Sequence, residues 1–447
     1  MLQSRFRPET CLHTECAGYY DRRMPAPRQS QSAPILSQSL ALDASLLPTV
    51  TVKSVGLHPL LYRKRIEHVE RNVAPGDIVR VMDTEGRQAG YGMYNPRAEL
   101  ALRMLCDASA VPDEAWWEAK LKTAVALRRE MLRLDGVTDS YRVVHAEGDG
   151  LSGLVVDKLG DVLSAEAFSV GMYQRGEAIL KLLAPLVGAK HTLLRTGPAT
   201  LGQEGFDGDS IGSEGLPSRV TIQEFGTRFR VDFSAGHKTG FFCDQRDNRR
   251  LLATFCQDKT VLDLCCYTGG FAVQAKKLGG AAEVIGVDLD EEPLALAKEN
   301  ANLNQVRVKF VQADAFAYMR DMLAQSRQFE VVVLDPPKLI RSRAEYEEGY
   351  RKHFDLNKLA MQLVAPGGLL LSCTCAGLLP SEEFARMMHL CARQAGRLVS
   401  AATTERAARH AARGCQILYK TGAAPDHPIA TNCPETEYLN AVWMRMA

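Results

Sequence analysis

No stretch of this chain is apolar for long enough to cross a bilayer. The first hydrophobic stretch, Leu40 to Val52, is also too short and too polar for a secretory leader. The twelve cysteines lack any paired Cys-x-x-Cys spacing. Cys265-Cys266 and Cys373-x-Cys375 have no histidine close by in sequence, so no metal site is expected. Scattered thiols without a leader point to a reducing cytoplasm, where most serve as small buried hydrophobes. Neither sign of charge is in excess: 54 basic residues face 53 acidic ones, a net charge of +1. That balance argues against a protein that coats a polyanion, and it leaves room for a local basic patch. What is present is an ordinary globular composition, 46% hydrophobic and 24% charged over 447 residues. Such a length makes about two to three domains, each with its own core.

Residues 1–48 are rich in Ser, Gln, Pro and Arg without a sustained period and read as a disordered extension. Residues 49–110 carry short strand signals. Asp77 to Val81 and Ala89 to Tyr94 flank a turn at Gly86, which predicts a hairpin. The basic segment Arg63-Lys64-Arg65, next to Tyr62, is a candidate nucleic-acid contact on a small β-barrel, with a plain solvated surface as the alternative. Residues 111–235 mix helix and strand signals: a helix from about Asp113 to Leu134, strands at Gly153 to Asp157 and Val162 to Phe168, and a helix near Gly176 to Leu186. They make a central α+β domain without assignable chemistry. From 236 to 447 apolar strands alternate with helical segments: Thr260 to Leu264, Val284 to Val287, Lys309 to Gln312, Glu330 to Leu334 and Gly368 to Ser372. This pattern predicts an α/β, Rossmann-like, parallel doubly wound sheet.

In such sheets ligands sit at the carboxyl ends of the strands. The first strand ends at Asp263 and runs into Tyr267-Thr268-Gly269-Gly270, and the second ends at Asp288, placed to accept from ribose hydroxyls. The third ends at Asp314-Ala315, where an acid can accept from an adenine amino group. The turn after Leu264 lacks the dinucleotide pattern G-x-G-x-x-G, which disfavours a nicotinamide enzyme. Asp263 is suited to the cationic amino group of S-adenosylmethionine. For any one of these aspartates a turn or helix cap is an equal reading. Three at successive strand ends behind a glycine turn predict S-adenosylmethionine as cofactor.

The fourth strand delivers Asp335-Pro336-Pro337-Lys338. Two prolines cannot continue a ladder and make a stiff lip, with Asp335 bordering cofactor and target, and Pro336 and Lys338 facing the target. An amino-group methyltransferase would carry an aromatic residue where Lys338 stands. The fifth strand ends in Cys373-Thr374-Cys375. Carbon 5 of cytosine is a poor nucleophile. A thiolate adding at carbon 6 makes it enamine-like, and an acid at the N3 and N4 edge holds the ring. Cys375 and Asp335 can supply these groups, with Lys338 as a basic neighbour for the thiol. Core packing is the alternative for both cysteines, more so for Cys373.

At these residues the chain resembles the bacterial large-subunit ribosomal RNA cytosine-C5 methyltransferases of the RlmI type. The blocks that carry the likeness are Gly236-His237-Lys238-Thr239-Gly240-Phe241-Phe242-Cys243-Asp244-Gln245-Arg246-Asp247-Asn248-Arg249, then Tyr267-Thr268-Gly269-Gly270-Phe271, Asp335-Pro336-Pro337-Lys338, Asp426-His427-Pro428, and Pro434-Glu435-Thr436-Glu437-Tyr438-Leu439. The resemblance implies an N-terminal PUA-like RNA-binding barrel and a cytoplasmic, homodimeric enzyme acting on ribosomal RNA. It further implies that Gly240, Gln245 and Arg246 line the cofactor or target pocket and that Cys375 is the nucleophile. The chain departs from other RNA cytosine-C5 enzymes in lacking a cysteine on the lip, which leaves the base for the last proton loss unassigned. Cys373 and the extension before Thr49 also fall outside the family pattern. A nitrogen methyltransferase on guanine or adenine, and an S-adenosylmethionine-binding ribosome-assembly module, are the competing readings.

Overall fold

The computed structural model describes residues 36–197, 199–234, 240–396 and 413–447. Residues 1–35 of the expected extension, and the segment 236–239 that opens the longest family block, lie outside the described residues. The end of the extension is folded. Asp43 accepts from Ser45 N at 2.9 Å to cap a single turn, Ala44–Leu46. Leu40 and Leu47 are buried in the same core as Trp117 and Tyr141. Two apolar anchors in a polar stretch give no period to read, which is why this segment looks unstructured in sequence.

Six strands then form a mixed sheet in the order Leu60–Leu61, Leu102–Asp107, Gln88–Tyr94, Asp77–Asp83, Thr49–Val52 and Ile66–Val69. The Gly86 hairpin is among them, with Asp77 opposite Tyr94 and Gly86 at φ +81°. The two outermost strands are neighbours in sequence, joined only through the turn Arg63–Arg65. So short a link forces the sheet to curl on itself in a barrel-like way, although the described strand pairs do not close it.

A second sheet has the order Ile211–Gly212, His191–Thr196, Val162–Ala167, Leu154–Leu159 and Ser140–His145, and it is covered by two helices. The first, Glu114–Ala126, is capped by Asp113 and continues as one wider turn, Leu127–Met131. The second, Val170–Val187, begins six residues before the expected Gly176, because Ser169 caps it by accepting from Met172 N. Glycine inside that helix serves packing: a Cβ on Gly176 would stand 2.5 Å from Leu194 of the sheet beneath.

The third sheet has seven strands, ordered Lys309–Gln312, Glu283–Asp288, Thr260–Leu264, Phe329–Leu334, Val364–Thr374, Asn440–Met446 and Cys415–Gly422. The first five are parallel and the last two antiparallel. Chain order reverses between Thr260–Leu264 and Phe329–Leu334, and a crevice opens there at the carboxyl ends of the strands. The fold is thus a Rossmann-like doubly wound sheet that follows a curled six-stranded sheet and a central α+β part in the chain.

A buried charge cluster clasps the catalytic part to the central one. Arg246 and Asp426 are both fully buried and pair through two bonds of 2.9 Å. Asp426 Oδ2 also accepts the backbone N–H of Arg142 at 2.9 Å. The Asp426 carbonyl accepts from Arg128, which pairs in turn with Asp149. Burial alone would raise the Asp426 carboxyl, but His427 and Arg246 outweigh it and hold it well below the usual carboxylate range. A smaller contact joins the barrel to the catalytic part, where His58 Nε2 meets Glu435 at 3.1 Å beside Cys433. The Leu60 N–H points at His58 Nδ1 at 3.1 Å, so the ring proton sits on Nε2 and serves the carboxylate. That hydrogen bond holds the Glu435 carboxyl down, to about 2.

Asp426→Ala leaves Arg246 buried without its main partner, and about 3–5 kcal/mol of stability should be lost in urea melts. A loss under about 1 kcal/mol would show that water reaches the cluster in the folded protein.

Candidate active site

At the carboxyl ends of the parallel strands lies a cavity of about 290 Å³. Its walls come from five strand ends and from the segment before the helix Arg246–Ala253. Of the residues singled out in the sequence, Gln245, Tyr267, Gly270, Asp288, Asp314, Ala315, Asp335, Pro336, Lys338 and Cys375 line it together. Gly240, Arg246, Asp263 and Gly269 do not line it, and Arg63, Lys64 and Arg65 stand apart on the first sheet.

Each departure has a local cause. Arg246 follows Gln245 on the helix and points away into the charge cluster. Gly240, at φ +121°, packs against Val231, where a Cβ would come within 2.7 Å. Asp263 is the last residue but one of its strand, so it faces the helix Gly270–Lys277 and accepts from Ala272 N at 2.9 Å. Burial pushes its carboxyl well up from the usual range, with Asp335 and Asp288 adding to the shift. Gly269 is conformational: at φ +80° it precedes that helix, and a Cβ there would crowd Phe310 and Ala297.

Between strand and helix the chain turns sharply. Cys265 and Tyr267 both adopt left-handed backbone, at φ 60° and 50°, which costs L-residues about 1–3 kcal/mol each. The turn is held from outside. Asp288 Oδ2 accepts from Tyr267 N at 2.8 Å, and the Tyr267 ring meets Phe242 edge-on at 5.1 Å. Asp314 caps the helix Ala315–Ala324 by accepting from Ala317 N, so it is a cap and a cavity residue at once.

The cavity is acidic at its centre. Burial raises the Cys265 thiol well above its ordinary range, and the carboxylates of Asp288, Asp335, Asp263 and Asp314 raise it further. A field that keeps a thiol protonated attracts a cation, and a sulfonium with an ammonium group fits it. Cys373 is fully buried in the core behind the cavity, and burial lifts its thiol likewise. Cys375 stands just past the strand Val364–Thr374, half-buried on the cavity wall. The two cysteines therefore occupy different environments despite their spacing.

Gln245 Nε2 donates to Asp335 Oδ2 at 3.0 Å. Lys338 is buried against the same wall. Beside them is Asp244, whose Oδ2 accepts from the Tyr438 hydroxyl at 2.8 Å and whose Oδ1 is buried without a partner among the described residues. Asp244, Phe242 and Leu439 were not singled out as site residues in the sequence, although all three lie inside the blocks that carry the family likeness. Arg249, also on the wall, is held by Glu224 of the hairpin Arg219–Glu224/Thr227–Asp232 at 2.7 Å.

Residues 151–406 match a family described as S-adenosylmethionine-dependent methyltransferase, and residues 53–107 match a PUA-like domain. Two relatives are each named Ribosomal RNA large subunit methyltransferase I. The Aeromonas salmonicida protein is 35% identical over 394 residues, covering 87% of this chain and 95% of the relative. The Pseudoalteromonas atlantica protein is 33% identical over 390 residues, covering 86% and 94%. A solved chain from Streptococcus mutans described as a SAM-dependent methyltransferase has TM-score 0.70 at 17% identity, over 89% of this chain and 99% of its own. A second solved methyltransferase chain, complexed with SAH, has TM-score 0.69 at 18% identity, over the same shares. These two show the fold. The chain belongs to the S-adenosylmethionine-dependent methyltransferases, in the family of the large-subunit ribosomal RNA methyltransferase I proteins, with S-adenosylmethionine as its cofactor.

Proposed function

We propose that this enzyme methylates carbon 5 of a cytosine in large-subunit ribosomal RNA through a covalent adduct between Cys375 and carbon 6. The observation that carries the reading is the convergence of Cys375 and Asp335, from the adjacent strands Val364–Thr374 and Phe329–Leu334, on one acidic cavity. S-adenosylmethionine supplies a methyl group on a positively charged sulfur. Asp288 would hold the ribose hydroxyls and Asp314 and Ala315 the adenine, with Tyr267 and Gly270 shaping the turn beneath. Asp335 would take the N3 and N4 edge of the base, and Pro336 and Lys338 would hold its flank. Cys375, as thiolate, adds to carbon 6; carbon 5 takes the methyl; loss of the carbon 5 proton then re-forms the double bond and expels the thiolate. Full burial of Cys373 in the core behind the cavity supports Cys375 as the thiol of this strand that reacts.

The RNA reading is supported by the names of the relatives and by a PUA-like sheet with an exposed basic turn. Arg63 donates to the Ala98 carbonyl and Arg65 to Ser54 Oγ, which holds the turn in place with Arg63 and Lys64 at the surface, where phosphates would be met. A target inside a helix would have to be flipped out to reach the thiol.

Three measurements test this. Cys375→Ala should abolish methyl transfer while S-adenosylmethionine still binds; transfer that persists would move the target to a nitrogen. Asp288→Ala should weaken cofactor binding about tenfold or more in calorimetry, through the lost ribose contacts. Replacing Arg63, Lys64 and Arg65 together with alanine should weaken RNA binding and flatten its salt dependence by about one unit of slope per lost phosphate contact. Unchanged affinity at moderate salt would remove the turn from the interface.

A further inference from the structure

Among the described residues two cations stand on the cavity wall, Arg249 and Lys338, against the carboxyl groups of Asp244, Asp288, Asp314 and Asp335. Arg249 is buried, and its guanidinium is fixed along one edge. Nε donates to Glu224 Oε2 at 3.0 Å, and Nη2 donates to Glu224 Oε1 at 2.7 Å and to the Phe242 carbonyl at 3.0 Å. Glu224 is itself fully buried and accepts from Gln274 Nε2 at 3.1 Å. The guanidinium carbon lies over the Phe241 ring, 4.9 Å from its centre. A guanidinium has five N–H groups, and these bonds use three. The two on Nη1 have no partner among the described residues. Nη1 is also not sealed in the interior as Asp263 Oδ1 is, so it opens on the cavity. It stands at the first turn of the helix Gly270–Lys277, where a Cβ on Gly270 would lie 3.5 Å from it. The leading N–H groups of a helix carry partial positive charge, so turn and guanidinium favour the same sign of ligand.

We propose that Arg249 Nη1, with the first turn of that helix, binds the α-carboxylate of S-adenosylmethionine. The proposal rests on the placing of the adenosine at Asp288 and Asp314 given above, and it is independent of the carbon 5 chemistry. The cofactor carries two positive groups, the sulfonium and the ammonium, and one negative group, the carboxylate. Four acids on the wall suit the first two and repel the third, so the carboxylate must end at a cation. Lys338 belongs to the lip on the target side, which leaves Arg249. Its neighbours on the wall, Tyr267, Thr268 and Gly270, form the turn that Asp288 braces, where the amino-acid tail leaves the ribose. Glu224 keeps the guanidinium from turning, so both N–H groups are presented with little left to order on binding. Glu224 ends a strand of the hairpin Arg219–Glu224/Thr227–Asp232, which joins none of the larger sheets. The grip on the tail is thus set from outside the cofactor-binding sheet.

The probes are S-adenosylhomocysteine and its decarboxylated analogue, S-adenosyl-3-thiopropylamine, which keeps the amino group and lacks only the carboxylate. Calorimetry on the full chain should show the parent enzyme preferring S-adenosylhomocysteine by about tenfold or more. Arg249→Lys keeps a charge for Glu224, but its single nitrogen is spent there. The preference should then fall to about threefold or less, with affinity for the analogue within about threefold of the parent enzyme. Equal binding of the two probes by the parent enzyme overturns the proposal. So does a preference that survives in folded Arg249→Lys, including the case where both probes weaken alike, which is the mark of a merely structural role. Should Arg249→Lys not fold, Arg249→Gln combined with Glu224→Gln leaves no charge buried alone, and a preference retained there overturns the proposal instead. Asp288→Ala separates this idea from the placing it rests on. If that change leaves both probes bound as before, the adenosine placing fails. If it weakens both while the preference ignores Arg249, only the carboxylate site fails.

Discussion

Everything at the cavity depends on one buried ion pair, Arg246 with Asp426. An unpaired charge in a dry interior costs several kcal/mol, so both groups must sit where their bonds are complete. Asp426 completes its set only by also accepting from Arg142 of the central sheet, while its carbonyl takes Arg128. Two parts of the chain are thereby fixed to each other to within hydrogen-bond tolerance. Because Gln245 and Arg246 are consecutive, fixing the arginine also fixes where the glutamine enters the cavity. The clasp and the site are opposite faces of one turn.

A second layer of control comes from the direction of hydrogen bonds. Amides can present either end, and nothing in the covalent structure of Gln245 decides which. The decision reaches it through Thr421 and Asn248 from groups with no choice, the Trp443 indole N–H and the Gly422 carbonyl. The side chain that holds Asp335 is therefore oriented from the antiparallel edge of the sheet, Cys415–Gly422 and Asn440–Met446.

The sequence shows those parts of the site that are local. Val331-Val332-Val333-Leu334 before Asp335-Pro336-Pro337 declares a buried strand and its stop, and Val261 to Leu264 before the Tyr267 turn does the same. Asp288, Asp314 and Asp335 could be placed because each closes or follows a strand. Asp263 lies off the cavity wall because a shift of one position along a strand swaps cavity for helix packing. Arg246 lies off it for a different reason: its partner is 180 residues away, and Arg128 and Arg142 reach Asp426 across 298 and 284. Pairings of that range leave no period. The anchoring of residues 36–48 by Leu40 and Leu47 escaped notice for the same reason.

The left-handed pair Cys265 and Tyr267 has a consequence for how the protein keeps its shape. Glycine at either position would relieve the backbone and cost nothing sterically in the turn. The chain instead carries a cysteine and a tyrosine whose preferred conformations lie elsewhere, and the turn is braced at Tyr267 by Asp288 and Phe242. Loosening either support would release a compressed spring, and the floor of the pocket would move first. The cofactor-binding surface is thus rigid by restraint from its neighbours and not by its own inclination.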